Sequence, residues 1–169
     1  MNDSSTCLGY VTGKIINKNG TESVIDFKNA VLVGGRAELV KVLANKIGNS
    51  YEQFVSRMIF GDGGTDGTTI RYVDADRTGL FGITRATKPV IANIDTTNTT
   101  QVVFTSVLGF ADANGYNLSE MALVLNNDIL YSMATFAPLS KTSDIQIVWN
   151  WRVNLLWLRL NMLPCQILA

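Results

Sequence analysis

The sequence predicts a mainly β fold, an antiparallel β-sandwich or barrel-like domain with one principal α-helix packed against it. Short apolar runs of strand composition recur along the chain, and clusters of Gly, Asn, Asp and Thr separate them. From residue 145 to residue 155, apolar and polar side chains alternate almost without a break, as in a strand with one buried face. Only one segment, near residues 35–47, has the apolar spacing of a substantial helix.

The chain length is that of a single domain. A domain near 169 residues buries roughly 70% of the surface that its unfolded chain exposes, which is enough to fold without staples. We predict one β-rich domain over residues 1–154 and an apolar C-terminal tail over residues 155–169.

The first predicted element is a hairpin. Residues 10–16 and 22–27 have strand composition, and the Asn19-Gly20 pair between them favours the positive φ angles of a tight turn. A helix should follow over residues 35–47, after Gly34-Gly35 and before Gly48, a residue that commonly ends helices. Ser50 and Gln53 have the spacing of a capping box, which indicates a second helical turn.

The remaining elements are predicted to be strands joined by turns. Residues 55–60 are extended, and residues 61–69 carry four glycines and are expected to form a surface loop. Further strands are predicted over residues 70–73, 80–84, 90–94 and 101–110. After a turn at residues 112–115, residues 121–125 and 129–136 form a hairpin that Pro138 closes, and the alternating strand at residues 145–155 ends the domain.

Trp149 and Trp151 lie on the same face of that last strand, and each can bury on the order of 200 Å². They should therefore anchor a core or a subunit contact. The tail is mostly apolar, but Arg159 and Pro164 interrupt it, and a bilayer span needs about 20 apolar residues, so we expect no membrane insertion. It should complete the chain's own sheet or lie across a neighbouring copy. The predicted interface candidates are Trp149, Trp151, Trp157, Leu158, Leu160, Met162, Leu163, Ile167 and Leu168.

The composition favours association and gives no support to nucleic-acid binding. Charged residues make up 17% of the chain, below the roughly 25% of typical soluble domains, so less of the surface can be covered by charge. The 14 basic and 14 acidic residues cancel and form no patch that would attract a phosphate backbone.

The sequence argues against an enzyme because it contains no histidine, the commonest general base and transition-metal ligand. Asp62 with Asp66, or Asp74 with Asp76, could be imagined as the carboxylates of a hydrolase, but acidic residues in such loops are mostly turn formers. The Asp62 loop resembles the first half of an EF-hand, although Val73 stands where that site needs glutamate. We predict no catalytic residue, no cofactor, no metal site and no small-molecule substrate.

The chain ends carry little further information. The first six residues lack the basic start and apolar stretch of a signal peptide, which indicates synthesis in the cytoplasm. Cys7 and Cys165 match no zinc or redox spacing, and they are either two free thiols or a bridge within or between chains.

Four motifs in order resemble small structural proteins of tailed-bacteriophage virions. They are the glycine-arginine helix start at residues 34–40, the strand and Gly-rich loop at residues 58–65, the Asn-Gly turn and Ser-Glu pair at residues 110–120, and the Pro-Leu-Ser-Lys to Trp-Asn-Trp segment at residues 138–153. The likeness covers residues 34–153.

This resemblance implies a non-enzymatic virion protein, made in the host cytoplasm and assembled in many copies on the particle. It could be a capsid decoration or cement protein, or a component of the neck, tail or baseplate, with other copies and neighbouring virion proteins as its partners. The alternative is a carbohydrate- or receptor-binding β-sandwich of a phage tail or fibre that uses the loop at residues 61–69.

Overall fold

The computed structural model describes residues 9–44 and 53–154, and its fold is the mainly β fold that the sequence predicts. Eleven strands and one helix are found in these two ranges. The helix, α1, is Val33–Leu43. The strands are β1 Gly9–Asn17, β2 Glu22–Val31, β3 Val55–Gly61, β4 Thr65–Asp66, β5 Thr69–Ile70, β6 Thr84–Pro89, β7 Ile91–Ile94, β8 Gln101–Leu108, β9 Tyr116–Leu125, β10 Leu130–Lys141 and β11 Ile145–Asn154.

Nine strands form one antiparallel sheet that curls into a nearly closed barrel. Its order is β6-β3-β9-β10-β2-β1-β11-β8-β7, so the two strands at the ends of the order are consecutive in the chain. Only Val90 separates β6 from β7, and β6 pairs with β3 whereas β7 pairs with β8. This bent segment therefore joins the two ends of the sheet, and the hydroxyl of Ser106 on β8 donates to the Pro89 carbonyl across the join at 3.0 Å.

The predicted first hairpin is confirmed. β1 and β2 pair from Gly9↔Asn29 to Ile16↔Glu22. In the turn, the backbone N–H of Gly20 donates to the Asn17 carbonyl at 2.9 Å, and Gly20 has φ +83°. Glycine is suited to this position because side chains crowd the backbone at positive φ.

The helix begins two residues earlier and ends four residues earlier than predicted. Leu32, fully buried, occupies the N-cap position in an extended conformation, and Ala44 forms the C-cap. Gly35 lies directly on β10, since a Cβ there would stand 2.6 Å from the Tyr131 carbonyl oxygen. The predicted turn at Ser50 lies outside the described residues.

The core has two parts on opposite sides of the sheet. The barrel interior is filled by large side chains that include Phe60, Leu108, Phe136, Trp149 and Trp151. A second cluster, which includes Leu32, Val73, Ala122, Val124 and Met133, covers the outer face of β9 and β10. Strand β9 is consequently buried on both faces from Leu118 to Leu125, which explains the apolar run at residues 121–125.

Three predicted local features differ from the structure. The predicted strand at residues 70–73 is reduced to Thr69–Ile70, which pairs only with β4, and residues 80–83 form no strand because β6 begins at Thr84. Pro138 does not close the hairpin but lies within β10, where the register with β9 shifts between Thr135 and Leu139. A proline is tolerated at such an irregularity because no ladder hydrogen bond is required of its nitrogen.

Candidate functional site

Trp149 and Trp151 are core residues, which is the first of the two alternatives, core or subunit contact, that the sequence left open. Both side chains are completely buried within one chain, and nothing of them remains for a neighbour to cover. The Trp149 ring lies among three phenylalanines, Phe27, Phe60 and Phe136, at centroid distances of 5.8–6.0 Å. Gly13 on the paired strand β1 gives the ring its space, because a Cβ there would stand 2.6 Å from it.

The other seven interface candidates lie outside the described residues and remain predictions. They are Trp157, Leu158, Leu160, Met162, Leu163, Ile167 and Leu168.

The side chain of Glu120, on β9, is a buried polar group that binds two loops. It is completely buried, and its carboxylate accepts three backbone hydrogen bonds. Oε1 accepts from the N–H groups of Gly63 at 2.9 Å and Gly82 at 2.8 Å, and Oε2 accepts from Phe81 at 2.7 Å. Two irregular segments, residues 62–64 and 79–82, are thereby joined to the barrel wall and to each other. Sequence reasoning singled out Glu120 only as part of a motif and missed this role.

The neighbouring Ser119 holds the same glycine-rich segment. Its hydroxyl accepts from the Gly64 N–H at 2.9 Å, and a Cβ on Gly64 would overlap the Ser119 carbonyl group. Gly61 and Gly64 are both buried. The prediction of a surface loop at residues 61–69 is therefore wrong for its first half, and only the β4–β5 hairpin is largely exposed.

A second buried polar group, Lys141 at the end of β10, secures the turn before β9. Its Nζ donates to Asn114 Oδ1 at 3.1 Å and to the Thr142 carbonyl at 2.9 Å. Burial lowers the pKa of this amine, and the nearby Asp112 carboxylate opposes that effect. The ammonium is therefore bound by two neutral acceptors inside the fold, and it fixes the turn at residues 112–115 to the end of β10.

Asp112 supports the same turn through an ion pair. Its carboxylate lies 2.6 Å from Lys88 Nζ and accepts the Gly109 N–H at 2.7 Å. Burial acts to raise the pKa of Asp112, but the hydrogen bonds from Lys88 and Gly109 outweigh it, so the net pKa is lowered from the usual 3.8. The charged form is thus favoured in the folded state.

We predict a pH-dependent loss of stability when Asp112 is replaced with asparagine. Because the folded-state pKa is lowered, the carboxylate stabilises the fold above its unfolded pKa of 3.8, and this contribution disappears as the pH falls through the folded-state pKa. Asp112→Asn should lower the free energy of unfolding by about 2 kcal/mol at neutral pH. The difference in free energy of unfolding between the variant and the unmodified protein should shrink on acidification, as measured by urea unfolding at several pH values.

The control is Asp144→Asn, which alters the exposed pair with Lys18 and should change the free energy of unfolding by less than about 1 kcal/mol. A loss for Asp112→Asn that is the same at every pH would contradict the prediction.

Two of the acidic residues considered for hydrolysis are in ion pairs with arginine, and the other two are exposed. Asp62 lies 2.6 Å from Arg85 Nε, and Asp66 lies 3.8 Å from Arg71, whereas Asp74 and Asp76 are exposed. No group of three or more His, Cys, Asp or Glu residues that could hold a metal occurs in residues 9–44 and 53–154.

The surface beside α1 is apolar. A cavity of about 190 Å³ lies under the helix and is lined mainly by apolar side chains, among them Val55, Phe104 and Val153. Glu38, at its rim, is paired with Lys41 at 2.6 Å, and that hydrogen bond lowers the pKa of Glu38 against the opposing effect of burial. We call four exposed apolar side chains on α1 and just before β3 the α1 patch: Leu39 and Val42, which also line the cavity, and Val40 and Phe54.

Comparison with known protein families, curated proteins and solved structures found no match for this chain. Within the described ranges, no helix is both long and apolar enough to cross a membrane.

Proposed function

We propose that this chain is a non-enzymatic bacteriophage virion structural protein that assembles in multiple copies on the particle. It would serve as a capsid decoration or cement protein, or as a component of the neck, tail or baseplate. The observation that carries the proposal is that the motifs resembling such proteins are joined to one another inside the fold.

The Ser-Glu motif binds the Gly-rich motif directly. Ser119 and Glu120 accept hydrogen bonds from Gly64 and Gly63 at 2.9 Å each. The lysine of the closing motif, Lys141, donates to Asn114 of the Asn-Gly turn. The polar side chains of these motifs therefore hold loops and turns in place within the fold, as expected for motifs of a structural protein.

The remaining motif residues are also used in packing. Gly35 of the helix-start motif allows α1 to contact Tyr131, and Trp149 of the closing motif fills the barrel. The ionisable residues of the described ranges that carry a lowered pKa are Glu38, Asp95, Asp112 and Lys141. Of these, Glu38, Asp112 and Lys141 each contact a neighbouring element or turn, which supports a structural rather than a catalytic role.

The α1 patch supports assembly. A patch of exposed apolar side chains beside an apolar cavity is typical of a surface that meets another protein. Val40 and Phe54 expose 64% and 52% of their area, so this region has unburied apolar surface even though both barrel tryptophans are covered. Association with further copies or with neighbouring virion proteins would bury it.

The alternative of a glycan- or receptor-binding module is less well supported. Its proposed contact, the loop at residues 61–69, is anchored under Ser119 and Glu120 in its first half. Only the short β4–β5 hairpin is left to contact a ligand.

Electron microscopy with gold-labelled antibodies against the purified chain tests the proposed function. On virions from the phage that encodes the chain, labels are expected at repeated positions on the capsid, neck, tail or baseplate. Antibody pre-absorbed with the purified chain is the control. A chain that stays in the virion-free fraction, or a gene that lies among no capsid, portal or tail genes, would contradict the proposal.

A further inference from the structure

The barrel wall opens between β2 and β10, and we call this opening the seam. β10 pairs with β2 only at Ser132↔Val31 and Met133↔Ala30. Beyond Met133, β10 bends at its register shift with β9 and leaves β2. The remaining part of β2, residues 22–29, is paired on one side with β1 and has no ladder partner on the other side in the described chain.

The seam presents both backbone and apolar groups to an incoming strand. In an antiparallel sheet, alternate residues direct their N–H and C=O groups to opposite sides, so about half of those in residues 22–29 face the opening. A cavity of about 440 Å³ lies there, bordered by Ile25, Ile70 and Thr135. Its inner side is the stacked pair Phe27 and Phe136, whose ring centroids are 4.6 Å apart. An unpaired edge above an apolar base is a site to which another strand can add.

One segment of the tail has the pattern that such a site requires. From residue 156 to residue 162, the apolar side chains Leu156, Leu158, Leu160 and Met162 alternate with Trp157, Arg159 and Asn161. As a strand, this segment would place four apolar side chains on one face. Its seven residues match the eight residues of free β2 edge in length, about 25 Å in each case.

The distance from the end of β11 indicates that the inserted segment comes from another copy. β11 pairs with β1, and β1 pairs with β2, so the seam is three strand spacings, or about 14 Å, from β11. The described chain ends at Asn154, and the two residues from there to Leu156 span at most about 7 Å. The tail of the same chain is therefore too short to place residues 156–162 along the free edge.

We propose that residues 156–162 of a second copy of this chain add as a strand to the free edge of β2 in the seam. This inference rests on the proposed multi-copy assembly and identifies the contact that forms it. Leu156, Leu158, Leu160 and Met162 cover Phe27 and Phe136, and Trp157, Arg159 and Asn161 face outwards. Each copy both donates and accepts a strand, which closes a ring or dimer.

Disulfide trapping between two differently tagged full-length chains tests this contact. In a Cys7→Ser, Cys165→Ser background, one chain carries Asp26→Cys, an exposed position on β2. The other carries Trp157→Cys, Arg159→Cys or Asn161→Cys. Outward-facing residues of adjacent strands lie at distances that a disulfide can bridge, so mild oxidation should yield a mixed dimer with at least one of the three. Thr96→Cys, exposed on the loop after β7, replaces Asp26→Cys as the matched control and should yield none.

A proline variant tests whether the contact is a strand. Leu158→Pro in the donor chain removes a backbone N–H from the segment and should abolish the mixed dimer. Gln166→Pro lies outside the segment and should leave the mixed dimer intact. Equal trapping by the Asp26→Cys and Thr96→Cys chains, or unchanged trapping by Leu158→Pro, would overturn the proposal. A further chain that carries Asp26→Cys together with one of the tail cysteines should form its disulfide between copies, and a disulfide that forms only within that chain would also overturn the proposal.

Sedimentation of the same variants separates this inference from the proposed function. Chains that are oligomeric but give no mixed dimer would overturn strand insertion and leave the assembly proposal standing. Chains that remain monomeric would overturn both.

Discussion

Replacing Glu120 with alanine should lower the free energy of unfolding by about 3–5 kcal/mol, because it removes the fully buried carboxylate that accepts from three partly buried backbone N–H groups. A hydrogen bond to a charged group contributes about 1.5–3 kcal/mol, and partly buried donors recover some of that loss by bonding to water. The three donors, Gly63, Phe81 and Gly82, lie outside the β3–β9 ladder, which ends at Gly61↔Glu120. Urea unfolding measures the loss, and hydrogen exchange should show reduced protection of these three amides.

Two further variants make the Glu120 prediction specific. Glu120→Gln can keep one oxygen at the Oε1 position, where two N–H groups donate, but it turns its NH₂ towards the Phe81 N–H. Glu120→Gln should therefore lower the free energy of unfolding by less than Glu120→Ala does. Glu22→Ala, which breaks an exposed pair with Lys14, should cost under about 1 kcal/mol. A Glu120→Ala protein as stable as the Glu22→Ala protein would contradict the account of the buried carboxylate.

Replacing Trp149 with alanine should cost about 3–5 kcal/mol, since truncation of a buried tryptophan removes apolar contacts and leaves a cavity. Trp149 is fully buried and touches the phenylalanine cluster formed by Phe27, Phe60 and Phe136. The near-ultraviolet circular dichroism of the barrel aromatics should weaken together with stability.

The control for this prediction is an exposed aromatic side chain. Tyr72 exposes 81% of its area, and Tyr72→Ala should change the free energy of unfolding by no more than about 0.5 kcal/mol. If Trp149→Ala changed the association of copies but left the unfolding of a single copy unaltered, Trp149 would be an interface residue, against the packing described here.

Local patterns predicted much of the fold. The Asn-Gly turn, the alternation from residue 145 and the apolar run of β9 each correspond to an observed element. These signals depend on residues close together in the chain, so a single sequence is enough to recognise them. The final strand also indicated two alternatives for its tryptophans, core or interface, and the alternation itself does not distinguish between them.

The features that were missed depend on distant residues. Residues 80–84 are apolar enough to suggest a strand, but Leu80 and Phe81 cover the outer cluster, and the N–H groups of Phe81 and Gly82 donate to Glu120. The Gly-rich loop suggested exposure because glycine is common in surface turns, whereas Gly64 is there to let the backbone approach Ser119. The sequence does contain a signal for the role of Glu120, namely a glutamate before an apolar run together with two glycine-containing loops elsewhere in the chain. This pattern does not identify the backbone groups that the carboxylate binds.

Helix α1 shows the same limit. Its apolar residues have helical spacing, but Leu39, Val40 and Val42 are exposed, so the spacing identified the helix without identifying its buried side. Leu32 caps the start through packing rather than through a polar side chain, which explains why the start was misplaced. These exposed residues belong to the α1 patch, which supports the assembly proposal.

Sedimentation equilibrium of the full chain and of a chain ending at Asn154 tests the central claim of multi-copy assembly most directly. At micromolar concentration, the full chain should have the mass of a closed oligomer, and the shortened chain, which keeps the α1 patch but lacks the inserted strand, should remain folded and associate more weakly. A full chain that sediments as a monomer across this concentration range would contradict the claim.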